Sequence, residues 1–356
     1  MTQIEPVPEA VAAAANAFGI VPISIEKMKG GLQNDTWRVA TAQDTFVLRR
    51  YGDMRFKYHM RTSATVQWEH RFLAHLHAQG IGVAPAIPDA AGRTLIRKAG
   101  GRWSLFPFLE CSPVTGPETA TAAVDLLVHF HHAAELALPG ILRRQRPGVG
   151  ERLAIASWFL SPRPRMPCAD LLKWLEKPEI SSPGQQVFSR HRDWIRMAVD
   201  SLTPALRDAD LAVVPRQPIH GDFFPGNLGL RRRRINTVFD LDECGLDLPT
   251  IDLAWAVLEW AWTGGGGLDL SIAETMLRRY HAKRPISESE ARHLPRMMTA
   301  CNLFYVLRNL AMQHHCPTED HSRSLGHFIP RIQCSLASYR DIAGLALSIV
   351  TGRRRH

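Results

Sequence analysis

Long apolar runs are missing from this 356-residue chain. No segment approaches the ~18 consecutive apolar residues that a bilayer span requires, so no membrane partner is expected. The first residues, with Glu5 and Glu9 and no basic start, lack the order of a secretory leader, and the expected location is cytoplasmic. Cysteine is sparse: the six residues stand at 111, 168, 244, 301, 316 and 334 and form no Cys-x-x-Cys pair, which argues against a zinc site or a disulfide framework. Cys244 is assigned to packing, and Cys316, beside His314 and His315, to a helix end. Internal repeats are absent as well. Acidic residues are outnumbered, 34 Asp and Glu against 43 Lys and Arg, for a net charge of +9. Such an excess can mark a nucleic-acid binder. Its visible runs, however, are 231–234 and 353–355, which suit a hairpin tip and a chain end. Without interleaved aromatics, no nucleic-acid partner is expected.

What the chain does carry is concentrated between residues 219 and 254. His220-Gly221-Asp222 is followed by Asn227 and then by Asp240, within Val-Phe-Asp-Leu-Asp-Glu. Phosphoryl transfer needs one carboxylate to receive or orient a hydroxyl proton. It also needs an amide oxygen and a second carboxylate to hold magnesium against nucleotide phosphates. Pro225-Gly226 turns the chain so that Asn227 faces back toward Asp222. Two apolar runs, 228–230 and 235–239, predict a hairpin around the arginine turn, which sets Asp240 beside Asn227. Both are hard oxygen donors, suited to a cation that takes its remaining ligands from phosphate and water.

This pattern resembles the aminoglycoside phosphotransferase and choline kinase superfamily, small-molecule kinases with a protein-kinase-like fold. The match is His-Gly-Asp, four residues, Asn, an apolar strand ending in Asp, then Gly245 and Asp252-Leu253-Ala254. The resemblance implies Asp222 as catalytic base, Asn227 and Asp240 as magnesium ligands, and Mg2+ and ATP as cofactors, with GTP left open. Upstream, Gly30-Gly31-Leu32-Gln33-Asn34 lies between the apolar stretches 23–28 and 36–39. It predicts a hairpin turn whose glycines let backbone approach a phosphate, with Gly30, Gly31 and Asn34 as candidate contacts. Thr45 to Arg50 is a β-rich run ending in cations, and Arg49 takes the position of the kinase lysine. Arg50 points to the opposite face. An arginine fork can contact phosphate and pair with a carboxylate. The expected partner is Glu69, in a helix over 65–76 that Gly80 stops. Residues 105–110 resemble the kinase hinge, which makes Phe108 a candidate at the adenine edge.

The implied fold class is α+β and bilobal. Residues 1–105 form a small N-terminal lobe with an antiparallel sheet and one main helix, 106–112 the hinge, and 113–356 a larger, mostly helical lobe. A helix over 119–137 carries His131 and His132, both assigned to packing. Prolines between 139 and 218 break helices, and loops there are open as a substrate cover. Thr250 is expected to cap a helix bearing Trp255, Trp260 and Trp262, which are assigned to the core. Asp252 in its first turn suits the helix dipole and a brace for the catalytic turn. Ser287 to Glu290 has the form of a capping box. The stretch 285–288, with Leu307-Arg308-Asn309, is similar to bacterial type II homoserine kinases.

A site for a polycation is normally lined with carboxylates, so a basic chain favours a neutral, zwitterionic or anionic alcohol. A small-molecule hydroxyl on a homoserine-like amino acid or amino alcohol is ranked above an antibiotic acceptor, and Arg308 is a candidate contact. A catalytically inactive nucleotide-binding scaffold is the reading of another class, favoured only had Asp222, Asn227 or Asp240 been replaced. The twelve residues from Asp240 to Asp252 leave no room for the activation segment of a protein kinase. Oligomeric state is not encoded in these patterns.

Overall fold

The computed structural model describes residues 8–28, 34–52, 62–137, 183–264, 266–315 and 319–352. Gly30, Gly31 and Cys316 lie outside the described residues, as do 138–182 of the proposed substrate cover and the Arg308 side chain.

The chain begins with helix α1 (Pro8–Ala17) and the strands β1 (Ser24–Lys27), β2 (Asn34–Ala40) and β3 (Thr45–Tyr51). Helix α2 (Ser63–Ala78) follows, then β4 (Ile96–Lys98) and β5 (Gly101–Pro107). The five strands make one antiparallel sheet in the order β1-β2-β3-β5-β4. Strand alternation gives the sheet two different faces. Trp37, Val39, Leu48, Trp103 and Leu105 bury one face against Val11, Ala14, Ala15 and Phe18 of α1. The other face carries two cross-strand rows: Thr36 opposite Arg49 opposite Ser104, and Arg38 opposite Val47 opposite Phe106. Helix α2 starts where the Thr62 side chain accepts the Thr65 N–H at 3.1 Å, an N-cap. Gly80, at φ 81°, follows its end, the left-handed position where glycine commonly stops a helix.

The rest is mainly helical. After a two-residue strand β6 (Ser112–Pro113) come α3 (Ala120–Glu135), α4 (Pro183–Arg207) and a short α5 (Ala209–Ala212). Strands β7 (Gln217–Ile219), β8 (Leu228–Arg231), β9 (Arg234–Val238) and β10 (Gly245–Asp247) frame the middle of this region. It closes with α6 (Pro249–Ala261), α7 (Leu270–Lys283), α8 (Glu288–His315), α9 (Glu319–Ala337) and α10 (Tyr339–Thr351). The expected hairpin forms: β8 and β9 pair antiparallel around Arg232 and Arg233. Both have positive φ, the left-handed pair that a two-residue turn needs to match strand twist. Strand β10 pairs with β7, so the segments before the His220 turn and after Asp240 are stitched together.

One apolar core runs from Phe72 and Leu76 of α2 through Phe130 of α3 to Phe223, Trp255 and α7–α8. The α+β, protein-kinase-like architecture implied by the sequence is the one observed, with the antiparallel sheet first and helices after it. Among the described residues no helix is long and apolar enough to cross a membrane. The capping box is present: the Ser287 N–H donates to Glu290 Oε2 at 3.0 Å and the Glu290 N–H to Ser287 Oγ at 3.2 Å. Thr250 is not a cap. Pro249 occupies the first helical position and Leu248 the cap, because proline's fixed φ starts a helix one residue earlier. Thr250 Oγ1 instead donates to Glu290 Oε1 at 3.0 Å.

Candidate active site

The turn after β7 is held by its own backbone. Gly221 sits at φ 80°, and a Cβ there would lie 2.3 Å from the Glu243 carbonyl oxygen, so only glycine fits. Asp252, fully buried at the start of α6, accepts the His220 N–H and the Gly221 N–H, both at 2.7 Å. Its Oδ2 also lies 3.1 Å from His131 Nε2. Burial opposes the charge of Asp252, yet the hydrogen bond from His131 and the other donors hold its pKa below the ordinary carboxylate value. The bracing role expected of Asp252 has this geometry.

His131, assigned to packing, also bonds. Its Nδ1 stands 2.8 Å from Tyr280 Oη. In the tautomer that donates Nε2–H to Asp252, Nδ1 accepts from the Tyr280 hydroxyl. Burial lowers the pKa of His131 despite the nearby carboxylate. His220 is locked too: Nε2 donates to the Phe239 carbonyl at 2.8 Å, and Nδ1 accepts the Asp222 N–H at 3.1 Å. One imidazole thus ties the turn carrying Asp222 to the strand that leads into Asp240.

Asn227 closes the same unit. Its Nδ2 donates to the Asp222 carbonyl at 2.9 Å and to Asp222 Oδ2 at 3.0 Å, which leaves the amide oxygen turned away from Asp222. The Phe239 N–H donates to the Asn227 carbonyl at 2.8 Å, so Asp240 follows directly beside Asn227. Asp240 has φ 53°, a left-handed position uncommon for anything but glycine, asparagine or aspartate. Its carboxylate faces the Asp242 N–H at 3.4 Å. Among the described residues no group of three or more His, Cys, Asp or Glu could hold a metal. Two hard oxygens, Asn227 Oδ1 and the Asp240 carboxylate, fit a cation that completes its shell from phosphate and water.

Above this unit, between sheet and hairpin, lies a cleft of about 590 Å³. Val47, Ala84, Phe106 and Leu241 give it apolar walls, and Arg49, Glu69 and Asp240 a charged end. Arg49 lines it and Arg50 does not. Arg50 points to the other face, 4.0 Å from Asp35 and over the Trp103 ring. Phe108 also lines the cleft. Its N–H donates to the Thr45 carbonyl at 3.1 Å, and its ring lies 5.0 Å from the Arg38 guanidinium.

The sequence missed the main partner of Arg49. Glu69 is 3.9 Å from Arg49 Nη1, whereas Asp242 Oδ1 is 3.0 Å away. Asn34 Nδ2 donates to the other oxygen, Asp242 Oδ2, at 2.6 Å. Burial works against the arginine's charge, but Asp242, with Tyr51 and Asp240, outweighs it and raises its pKa above the ordinary value. Arg49 Nε is buried and has no hydrogen-bond partner among the described residues. The available signal was the even spacing of Asp240 and Asp242.

Trp255 and Trp260 are buried, in keeping with their core assignment, while Trp262 is half-buried. The Arg331 guanidinium lies 4.8 Å from the Trp262 ring centre and pairs with Glu259.

A family model described as a phosphotransferase enzyme family matches residues 24–294. The homoserine kinase of Cupriavidus pinatubonensis (strain JMP 134 / LMG 1197) is 26% identical over 337 residues, covering 89% of this chain and 90% of that protein. Many solved structures share the fold. An amicoumacin kinase in complex with AMP-PNP, Ca2+ and Ami superimposes with a TM-score of 0.63 at 16% identity, over 90% of this chain and 91% of that one. A microcompartment-associated aminopropanol kinase gives 0.61 at 15%, over 91% and 94%.

Proposed function

This chain belongs to the phosphotransferase enzyme family, and on that premise we propose that it is an ATP-dependent kinase for the hydroxyl of a short amino acid or amino alcohol, homoserine-like in size and charge. The observation that carries the proposal is the Asp222–Asn227 contact at 3.0 Å. It fixes a carboxylate beside an amide whose oxygen is free to meet a cation.

In this reading Asp222 aligns the acceptor hydroxyl and takes its proton as the oxygen attacks in line. Arg49 neutralises phosphate charge from the sheet side, and the apolar walls of the cleft take the base. A divalent cation held by Asn227 Oδ1 and Asp240, most simply magnesium, supplies charge neutralisation on the phosphates. Asp252 and His131 keep the turn rigid, so that no reorganisation is needed at the moment of transfer. The acceptor class draws on the basic chain and on the homoserine kinase and aminopropanol kinase relatives.

The test is steady-state turnover and calorimetry on purified variants. Asp222→Ala is expected to lose on the order of 10²-fold or more in kcat, as for a positioned base, with Mg-ATP binding retained. Asn227→Ala and Asp240→Ala are expected to weaken Mg-ATP binding itself. Near-wild-type turnover in Asp222→Ala would overturn the assignment.

A further inference from the structure

Helix α6 does more than hold the His220 turn. Asp252 grips that turn from the first turn of the helix, and Phe223, the residue after Asp222, packs its ring 6.4 Å from Trp260 in the last. The segment carrying Asp222 therefore runs alongside α6. At 3.6 residues per turn, Glu259 lies about 20° from Asp252 around the axis and about 10 Å further along it. Glu259 thus projects from the face of α6 that the turn occupies. Consistently, burial raises the pKa of Glu259, Arg331 opposes the rise, and the charge of Asp222 adds to it.

Glu259 is met there by Arg331 of α9, with Nε 3.2 Å from Oε1 and Nη2 3.4 Å from Oε2. Helix α9 is positioned by rings. Tyr305 of α8 stacks on Phe328 at 4.9 Å and packs tilted against Trp255 of α6 at 5.3 Å. That docking sets Arg331, one turn beyond Phe328, over both Glu259 and Trp262. A nearly buried ion pair, with side chains 8% and 10% exposed, is costly to desolvate and contributes little stability over an apolar pair of the same shape. Its chemistry is that of a receptor for opposite charges. A zwitterion opens the pair and restores both contacts, ammonium to carboxylate and carboxylate to guanidinium, so that no charge is left unmatched.

We propose that Glu259 and Arg331 form the recognition end of the acceptor site, Glu259 receiving the ammonium and Arg331 the carboxylate of a short hydroxy-amino acid whose hydroxyl reaches Asp222. The proposal rests on the kinase reading above and narrows its acceptor. Four bonds between hydroxyl and ammonium span about 5 Å, and a hydrogen bond at each end brings the reach to about 10 Å, the same scale as the rise along α6 from Asp252, which grips the turn, to Glu259. A polycation meets a Glu259 that Arg331 already neutralises. A plain alcohol leaves the pair closed.

The experiment compares three acceptors of equal length: L-homoserine, 3-aminopropanol, which lacks the carboxylate, and 4-hydroxybutyrate, which lacks the ammonium. They are assayed on the wild type, Glu259→Gln, Arg331→Gln and the neutral double variant, with Tm measured alongside. Wild type is expected to favour homoserine in kcat/KM by about tenfold or more, as for one charge-assisted contact. Arg331→Gln should raise KM for homoserine at least about tenfold more than for 3-aminopropanol, and Glu259→Gln at least about tenfold more than for 4-hydroxybutyrate. The double variant, which leaves no buried charge unpaired, should accept all three alike. A uniform loss across acceptors in every variant would make the pair structural and overturn the proposal, as would homoserine preference surviving in the double variant. Turnover of an unrelated alcohol but of none of these three would overturn the subsite alone. No transfer to any acceptor, with Mg-ATP bound equally by wild type and Asp240→Ala, would overturn the kinase reading itself.

Discussion

Replacing Asp252 by asparagine keeps its shape and removes its charge. Three donors converge on the native carboxylate: the His220 N–H and Gly221 N–H at 2.7 Å and His131 Nε2 at 3.1 Å. An asparagine offers one acceptor oxygen and one donor group. If the oxygen stays at Gly221, the amide nitrogen faces both His220 N–H and His131. His131 can adapt: Tyr280 Oη at 2.8 Å can accept as well as donate, so the ring can switch tautomer and accept from the new amide. The His220 N–H has no such escape and is left unsatisfied in a fully buried position, at a cost of about 1–3 kcal/mol. Losing the charge from the remaining contact adds about 1 kcal/mol, for a total of about 2–4 kcal/mol. Because the turn carries Asp222, a displacement of about 1 Å there is expected to lower kcat by about 10²-fold. Thermal unfolding and steady-state kinetics read the two effects separately. A Tm within a degree of wild type together with unchanged kcat would refute the argument that this carboxylate holds the turn.

Asp242→Asn removes the nearest counterion of Arg49 and leaves Glu69 at 3.9 Å. The pair is only partly exposed, so a loss of about 1–2 kcal/mol is expected, with weaker Mg-ATP binding by calorimetry. Equal stability and equal affinity would show that Glu69 suffices. Stability should also fall on the acid side. Burial depresses the pKa of His131, and burial with the charge of Arg331 brings that of His327 to about 4, from 6.5 in each case. The unfolded chain then takes up protons first, so this contribution is complete above pH 6.5 and is lost as pH falls toward 4. A Tm profile should drop across that window and flatten in His131→Asn and His327→Gln. A wild-type profile level from pH 7 to 4 would contradict it.

The parts of the site that could be read in advance are those whose geometry is local. Gly221 in its left-handed turn, Pro225 reversing the chain and the paired β8–β9 hairpin fix Asp222, Asn227 and Asp240 within twenty residues. The Arg49 face followed from strand alternation. What escaped was set by contacts across the chain. Arg49 and Asp242 are 193 positions apart, and His131 and Asp252 are separated by 121. No periodicity marks a carboxylate as the partner of one cation rather than another. Thr250 was misplaced for a local reason: a hydroxyl beside proline suggests a cap, but Pro249 itself begins α6.

Helix α6 has thirteen residues, short enough to behave as a rod. Its first turn fixes the backbone beneath Asp222, and its last presents Glu259 to Arg331 on α9. A rod transmits position and leaves side chains exchangeable at its far end. With the proposed acceptor pair at its far end, the helix would divide its labour along one axis: the end that holds the catalytic turn is distinct from the end where substitution would redirect selectivity. On that proposal, diversification of acceptors would need no change of backbone, only new side chains on the final turn of α6 and the face of α9 opposite it.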